Sequence, residues 1–299
     1  MTSVDQSPAS TPASRPLGLV LDEMAALFTE AGILDPRVDA ELLAGHVLDL
    51  RRGGVQAAAF RGDEVSAADA ARLGELAARR AAREPLQHLT GVAHFRHLEL
   101  AVGPGVFVPR PETEMVAQIA IDALRAAASP APVAVDLGTG SGAIALALAT
   151  EVPHARVHAA ENSADAYAWT TRNFEGVGAA NAHLAFTDLA AAFPELDGTV
   201  TVLVSNPPYV PDAAIPRDPE VRLYDPPQAL YGGADGLDVV RVLAEVGLRL
   251  VHPGGLIVIE HGELQGEGVR DVLASAGWLA TATHRDLTLR DRVTTAVRP

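Results

Sequence analysis

Strand-like apolar runs alternate with helical patterns through residues 111–299, and this alternation is the strongest constraint on the fold. Consecutive strand, helix and strand segments form right-handed units whose strands lie parallel. The predicted strands are 133–137, 157–160, 183–187, 200–205, 256–260 and 293–297. Helical patterns separate them at 142–150, 163–173, 237–250 and 265–276. The sequence therefore predicts an α/β domain with a mostly parallel sheet covered by helices on both faces.

The first 110 residues divide into three segments of different character. Residues 1–16 are rich in Ser, Pro, Ala and Thr without an apolar period, which predicts a disordered tail. Residues 17–83 show helical periodicity and a capping pattern of Ser66 with Asp69, so they are predicted to form a small helical domain. Residues 84–110 are punctuated by Pro and Gly, which predicts a linker with a hairpin.

The composition excludes several kinds of chemistry. The chain has no cysteine, which rules out thiolate nucleophiles, disulfides and iron–sulfur clusters. All 23 basic residues are arginine, which rules out a lysine Schiff base. The ten histidines lack the spacing of a metal site, so no metal is predicted. Without a long apolar run or the pattern of a signal peptide, a cytoplasmic protein that does not bind membranes is expected.

The first candidate site is a glycine-rich turn between strand 133–137 and the helix that follows. It consists of Gly138, Thr139, Gly140, Ser141 and Gly142. Glycines let the backbone approach a ligand closely, and the free N–H groups at a helix start can face it. Glu161 ends the next strand, where a carboxylate can accept the hydroxyls of an adenosine ribose. The spacing also fits the dinucleotide fingerprint, so NAD remains open on this motif alone.

The second candidate site follows strand 200–205, at the sheet edge where α/β proteins bind ligands. Its sequence is Asn206-Pro207-Pro208-Tyr209. Two prolines lack N–H donors and hold carbonyl oxygens rigidly, while the Asn206 side chain adds an acceptor and Tyr209 a flat face. Such a pocket suits a planar –NH2 group. The alternative is a Pro-rich turn that only closes a strand.

Together, the two motifs resemble those of S-adenosylmethionine-dependent amino methyltransferases. Other segments narrow the resemblance to the HemK/PrmC family of protein-(glutamine N5) methyltransferases, over about residues 17–297. These segments are Pro85-Leu-Gln-His88-Leu-Thr-Gly91, Phe107-Val-Pro-Arg110-Pro-Glu112-Thr-Glu114, Glu260-His261-Gly262 and Arg292-Val293.

The resemblance implies a Rossmann-like methyltransferase domain over residues 111–299 and S-adenosyl-L-methionine as cofactor. The residues expected to bind it are Gly138, Thr139, Gly140, Ser141, Gly142, Glu161, Leu189 and Asn206. The implied partners are class 1 peptide chain release factors, whose Gly-Gly-Gln motif carries the substrate glutamine. Asn206, Pro207 and Tyr209 are predicted to be catalytic, and Pro208 is expected to bind substrate with them. The helical domain is predicted to recognise the substrate protein, because a glutamine amide alone is chemically ordinary.

Three positions depart from the family pattern. Glu161 stands where Asp is usual, and Leu189 stands where many members have Trp beside the cofactor's adenine. The segment 286–293 lacks the usual Gly near its turn.

Two other functions remain open. The first is a nucleic-acid amino methyltransferase that packs a flipped adenine or guanine against Tyr209. The net charge of −15 disfavours it, as do the 12 arginines against 24 acidic residues in 111–299, so no direct nucleic-acid partner is expected. The second is a noncatalytic module that keeps a nucleotide pocket, and the intact Asn-Pro-Pro-Tyr motif argues against it.

Overall fold

The computed structural model describes residues 14–299, and the chain divides into two compact units after Thr90. Residues 1–13, which hold most of the predicted tail, lie outside the described residues. The prediction of disorder is wrong for β1 (Arg15–Pro16), because its main chain pairs antiparallel with β2 (Glu64–Val65). The predicted helical segment ends at 83, whereas the first unit runs to Thr90 and includes a further short helix.

The first unit is helical and has its own core. Its helices are α1 (Leu17–Glu30), α2 (Pro36–Leu48), α3 (Arg52–Arg61), α4 (Ala67–Ala81) and α5 (Leu86–Thr90). Leu21, Phe28, Leu43 and Leu73 are completely buried in that core. Ser66 caps α4 as its sequence pattern predicts, since its hydroxyl accepts the Asp69 N–H at 3.1 Å.

The second unit contains a sheet that confirms the predicted α/β class. A hairpin of β3 (Val92–Phe95) and β4 (Leu98–Ala101) precedes it. The sheet strands are β5 (Val133–Leu137), β6 (Arg156–Glu161), β7 (Ala182–Phe186), β8 (Val200–Ser205), β9 (Val251–Glu260), β10 (Leu279–Arg285) and β11 (Asp291–Val297). Within residues 91–299 their order is β10-β11-β9-β8-β5-β6-β7, and β5 to β9 are parallel. The order reverses between β5 and β8, which creates a crevice at their carboxyl ends.

Helices cover both faces of this sheet. They are α6 (Thr113–Ala126), α7 (Ala143–Glu151), α8 (Ala164–Val177), α11 (Asp238–Leu250) and α12 (Gly266–Ala276). Two shorter helices, α9 (Pro219–Tyr224) and α10 (Pro227–Leu230), lie in the segment between β8 and α11. Along β5, Ala134 packs into the core with α6 and α7, whereas Val133 and Val135 pack into the core with α11 and α12. This two-sided burial explains why β5 is continuously apolar apart from Asp136. No helix among residues 14–299 is both long and apolar enough to cross a membrane.

The turn between β10 and β11 is the place where the usual family glycine is absent. Leu289 adopts a φ of 64° there, in the left-handed region, and its side chain is 75% exposed. Asp286 organises the turn, because its Oδ1 accepts the N–H groups of Thr288 at 2.8 Å and Arg290 at 3.2 Å. A β-carbon in this conformation costs about 1–2 kcal/mol relative to glycine.

Replacing Leu289 with glycine is therefore expected to raise the free energy of unfolding by about 1 kcal/mol, measured by chemical denaturation. Leu287→Gly is the matched control, since Leu287 is fully exposed in the same turn but lies outside the left-handed region. We expect it to leave stability unchanged or lower it slightly. An equal shift for both variants would show that Leu289 is not strained.

Candidate active site

A cavity of about 630 Å³ lies in the second unit, where both sequence motifs meet. Nine of the predicted site residues line it: Gly138, Thr139, Gly140, Ser141, Glu161, Leu189, Asn206, Pro208 and Tyr209. The other two predicted residues, Gly142 and Pro207, do not line the cavity. A β-carbon on Gly142 would lie 3.0 Å from the Phe174 ring, so this glycine permits close packing against α8. Pro207 is buried. The structure thus joins the two motifs in one site.

The glycine loop leaves open space above its backbone. Gly138 and Gly140 have φ values of 72° and 56°, and a β-carbon built on either would meet no atom within 4 Å. The N–H groups of Gly138 and Thr139 both donate to the Ala160 carbonyl at 3.0 Å, which anchors the loop to β6. A ligand can therefore lie directly against the main chain, where side chains would otherwise stand.

Helix α8 holds the other side of the loop through two buried side chains. The Thr170 hydroxyl donates to the Gly140 carbonyl, and Asn173 Nδ2 donates to the Ser141 carbonyl at 2.9 Å. Asn173 also exchanges two hydrogen bonds with the main chain of Ala101 in β4. Neither residue was predicted from the sequence, because a polar position on a helix does not reveal which distant backbone group it contacts.

Asp136 of β5 connects this strand to the glycine loop by hydrogen bonds. Its Oδ2 accepts the Thr139 hydroxyl at 2.6 Å and the Ala145 N–H of α7 at 3.1 Å. Burial raises the pKa of this carboxyl to about 7, although both hydrogen bonds act in the opposite direction. The sequence feature that could have indicated this supporting role is an acidic residue inside an otherwise apolar strand.

Glu161 braces the loop and faces the cavity. Its Oε2 accepts the Gly140 N–H at 2.8 Å, while Oε1 accepts the N–H groups of Asn162 at 3.0 Å and Ser163 at 2.8 Å. A carboxylate offers about four acceptor positions, so about one remains for a hydroxyl group of a ligand. The longer side chain at this position therefore reaches back to the main chain and retains acceptor capacity.

Leu189 begins a short 3-10 turn at the far wall of the cavity. Asp188 caps this turn by accepting the Ala190 N–H at 2.9 Å, and it also accepts a hydrogen bond from Asn162 Nδ2 at 3.2 Å. Leu189 is partly buried there, so it presents an aliphatic surface to the cavity.

The Asn206-Pro207-Pro208-Tyr209 segment is held from two sides. Asn206 Nδ2 donates to the Thr113 hydroxyl of α6 at 3.3 Å, and Gln265 Nε2 donates to the Tyr209 carbonyl at 2.9 Å. Burial raises the pKa of the Tyr209 phenol above its usual range, so the ring stays neutral near pH 7. Tyr209 is therefore suited to packing rather than to accepting a proton.

Arg110 also lines the cavity and joins it to the segment around α9 and α10. Its guanidinium lies 2.7 Å from a carboxylate oxygen of the buried Asp225 and 5.1 Å from the centre of the Phe107 ring. Charge pairing and ring stacking together hold Arg110 at the cavity wall.

Comparison with known proteins relates this chain to a family. The PrmC N-terminal domain family matches residues 20–91, and the methyltransferase small domain family matches residues 97–220. A release factor glutamine methyltransferase of Streptomyces coelicolor is 50% identical over 94% of this chain and 98% of its own length. The chain belongs to the release factor glutamine methyltransferase family.

Two further relatives carry names that give different substrates. The release factor glutamine methyltransferase of Bifidobacterium longum is 41% identical over 93% of this chain and 98% of its own length. A relative from Streptomyces pristinaespiralis, named 4-amino-L-phenylalanine/4-methylamino-L-phenylalanine methyltransferase, is 37% identical over 96% of this chain and 97% of its own length. Both names describe methyltransferases.

This chain is thus an S-adenosylmethionine-dependent methyltransferase, and the cavity fits that cofactor. The open backbone at Gly138 and Gly140 leaves room for it, where β-carbons would intrude. Glu161 keeps acceptor capacity at the cavity, and Leu189 supplies an apolar wall.

Proposed function

We propose that this enzyme methylates the side-chain amide nitrogen of a glutamine in peptide chain release factors, within the Gly-Gly-Gln motif of class 1 factors. The observation that carries the proposal is that Asn206, Pro208 and Tyr209 line the same cavity as the glycine loop and Glu161. The relatives from S. coelicolor and B. longum, which align over nearly the whole chain, are named for this substrate.

The chemistry depends on orientation, because an amide lone pair is delocalised into the carbonyl group and is a weak nucleophile. S-adenosylmethionine, when bound, supplies a methyl carbon on a positively charged sulfur, and the C–S electron pair leaves with sulfur as the N–C bond forms. Asn206 Oδ1 accepts one of the two amide hydrogens, which aims the nitrogen lone pair at the methyl carbon. The sequence predicts that the Pro207 carbonyl accepts the other hydrogen, but Pro207 is buried and does not line the cavity, so Asn206 is the acceptor on which the proposal depends. One hydrogen then leaves the nitrogen as a proton to solvent. Tyr209 and Pro208 pack against the plane of the amide.

The proposal is tested with the full chain, methyl-labelled S-adenosylmethionine and three acceptors in parallel: a release factor, RNA and 4-amino-L-phenylalanine. We expect label on the release factor, located by mass spectrometry to the Gly-Gly-Gln glutamine. A release factor with that glutamine replaced is the control and should remain unlabelled. Label on RNA alone would support the nucleic-acid alternative, and label on the amino acid alone would place the chain with the S. pristinaespiralis relative.

We also propose that the helical segment 17–83, within the first compact unit, recognises the release factor. All residues that line the cavity belong to the second unit, and the amide that they surround is common to every glutamine. Discrimination between proteins therefore needs further surface, and a separate unit with its own core provides it.

Deleting residues 1–90 is expected to leave the dissociation constant for S-adenosylmethionine within a few fold, because the cavity residues remain. Methylation of the intact release factor should fall much more than methylation of a short Gly-Gly-Gln peptide, as measured by kcat/KM for each. Thermal unfolding of the truncated protein provides the control for folding. A folded fragment with parental activity on the release factor would refute the recognition role.

A further inference from the structure

Glu260 is a buried carboxyl at the strand end next to Asn206 of the proposed substrate site. It ends β9, whose residue Ile259 pairs with Ser205 at the end of β8, so Glu260 lies beside Asn206 across the two strands. On its other side Glu260 pairs with Val293 of β11. Glu260 is 2% exposed, and β9 is paired on both sides at this end.

The contacts of Glu260 are with the residues that hold Asn206. The Thr113 hydroxyl and the Asn206 side chain are polar groups that face Glu260 and act to lower the pKa of its carboxyl. Those two groups are joined to each other by the Asn206 Nδ2–Thr113 Oγ1 hydrogen bond of 3.3 Å. Among residues 14–299, Glu260 Oε2 has no hydrogen-bonding partner. A buried carboxylate oxygen without a partner lowers the stability of the fold, so packing alone does not explain a carboxyl at this place.

An ionised carboxylate can only accept hydrogen bonds, whereas an asparagine amide has a donating and an accepting end. With Glu260 and Thr113 on one side, the Asn206 NH2 group turns toward them, and Oδ1 is left for the cavity. We propose that Glu260 is a positioning residue that orients the Asn206 amide so that Oδ1 faces the substrate nitrogen. The inference rests on the proposed function, in which Asn206 Oδ1 accepts a hydrogen of the substrate amide.

The charge state of Glu260 then controls this orientation. Burial raises the pKa of its carboxyl to about 7, while the Thr113 hydroxyl and the Arg292 guanidinium of β11 act to lower it. Glu112 before α6 and the neutral Tyr209 phenol after β8 are the other titratable groups that face it. A protonated Glu260 can donate to Asn206 Oδ1, which turns the NH2 group toward the cavity and removes the acceptor. Activity should therefore fall as the pH decreases through about 7.

The test is the variant Glu260→Gln in the full chain, assayed with a Gly-Gly-Gln peptide and S-adenosylmethionine. We expect kcat to fall about 10- to 100-fold. The KM for peptide and the calorimetric dissociation constant for S-adenosylmethionine should stay within a few fold. The parent should lose kcat between pH 8 and pH 6, and Glu260→Gln should lose this dependence. A structural role alone would not move the pH profile.

A double-mutant cycle with Asn206→Ala separates this inference from the proposed function. If Glu260 acts through Asn206, the double variant should be no slower than Asn206→Ala alone. Additive losses, or parental kcat and an unchanged pH profile in Glu260→Gln, would overturn the role of Glu260 while leaving the function intact. Parental kcat in Asn206→Ala would instead overturn the site on which both rest. If Glu260→Gln fails to fold, the parent's own profile decides, since a flat kcat between pH 6 and pH 8 excludes the inference.

Discussion

Replacing Asn206 with alanine is expected to lower kcat by about 100- to 1,000-fold, which is the usual loss when a positioned polar group is removed from such a site. Asn206 lines the cavity and is oriented by Thr113, so alanine removes an acceptor that no neighbouring side chain replaces. The dissociation constant for S-adenosylmethionine should change only a few fold. Single-turnover kinetics measure the first quantity and calorimetry the second.

Asn162→Ala is the matched control for this experiment. Asn162 lines the same cavity, but it is exposed beside Glu161 and its amide donates to Asp188. Its loss is expected to leave kcat near the parental value. Parental turnover in Asn206→Ala, or an equal loss of kcat in both variants, would contradict the role proposed for Asn206.

Replacing Glu161 with glutamine is expected to weaken S-adenosylmethionine binding by about 1.5–3 kcal/mol, or about 10- to 150-fold in the dissociation constant. Glutamine removes the charge that strengthens a bond from a ribose hydroxyl. Its NH2 group also cannot accept the N–H groups that one of the two carboxylate oxygens accepts, either that of Gly140 at Oε2 or those of Asn162 and Ser163 at Oε1. The loop should therefore lose support together with the ligand contact. Isothermal titration calorimetry gives the dissociation constant directly.

Two further variants distinguish the effect of losing the contact at Glu161 from the effect of changing the net charge of the protein. Glu161→Asp keeps the charge and should bind S-adenosylmethionine nearly as well as the parent. Asp165→Asn makes the same charge change on the exposed start of α8, outside the cavity lining, and should have almost no effect. An unchanged dissociation constant in Glu161→Gln would show that the ribose contact is wrong.

Local patterns were sufficient for the α/β class and for most of its strands. The strand Val200–Ser205 and its Asn-Pro-Pro-Tyr end stand out, because apolar runs, glycines and prolines act on neighbouring residues. Helix α6, the short helices α9 and α10, and strand β10 were not predicted from the sequence. Strand β10 pairs only with β11 and is mostly exposed or half-buried, so its apolar pattern is weak.

By itself, the sequence determined the family resemblance and the two motifs, since both are contiguous segments at strand ends. Only the tertiary structure decided which residues support them, because those contacts join distant parts of the chain. Thr113 and Asn206 are 93 residues apart, and Asn173 and Ser141 are 32 apart. The pKa values of the buried carboxyls also depend on the tertiary structure. Burial raises the pKa of Asp136 and of Glu260 to about 7, and the burial of a side chain depends on every element that packs around it.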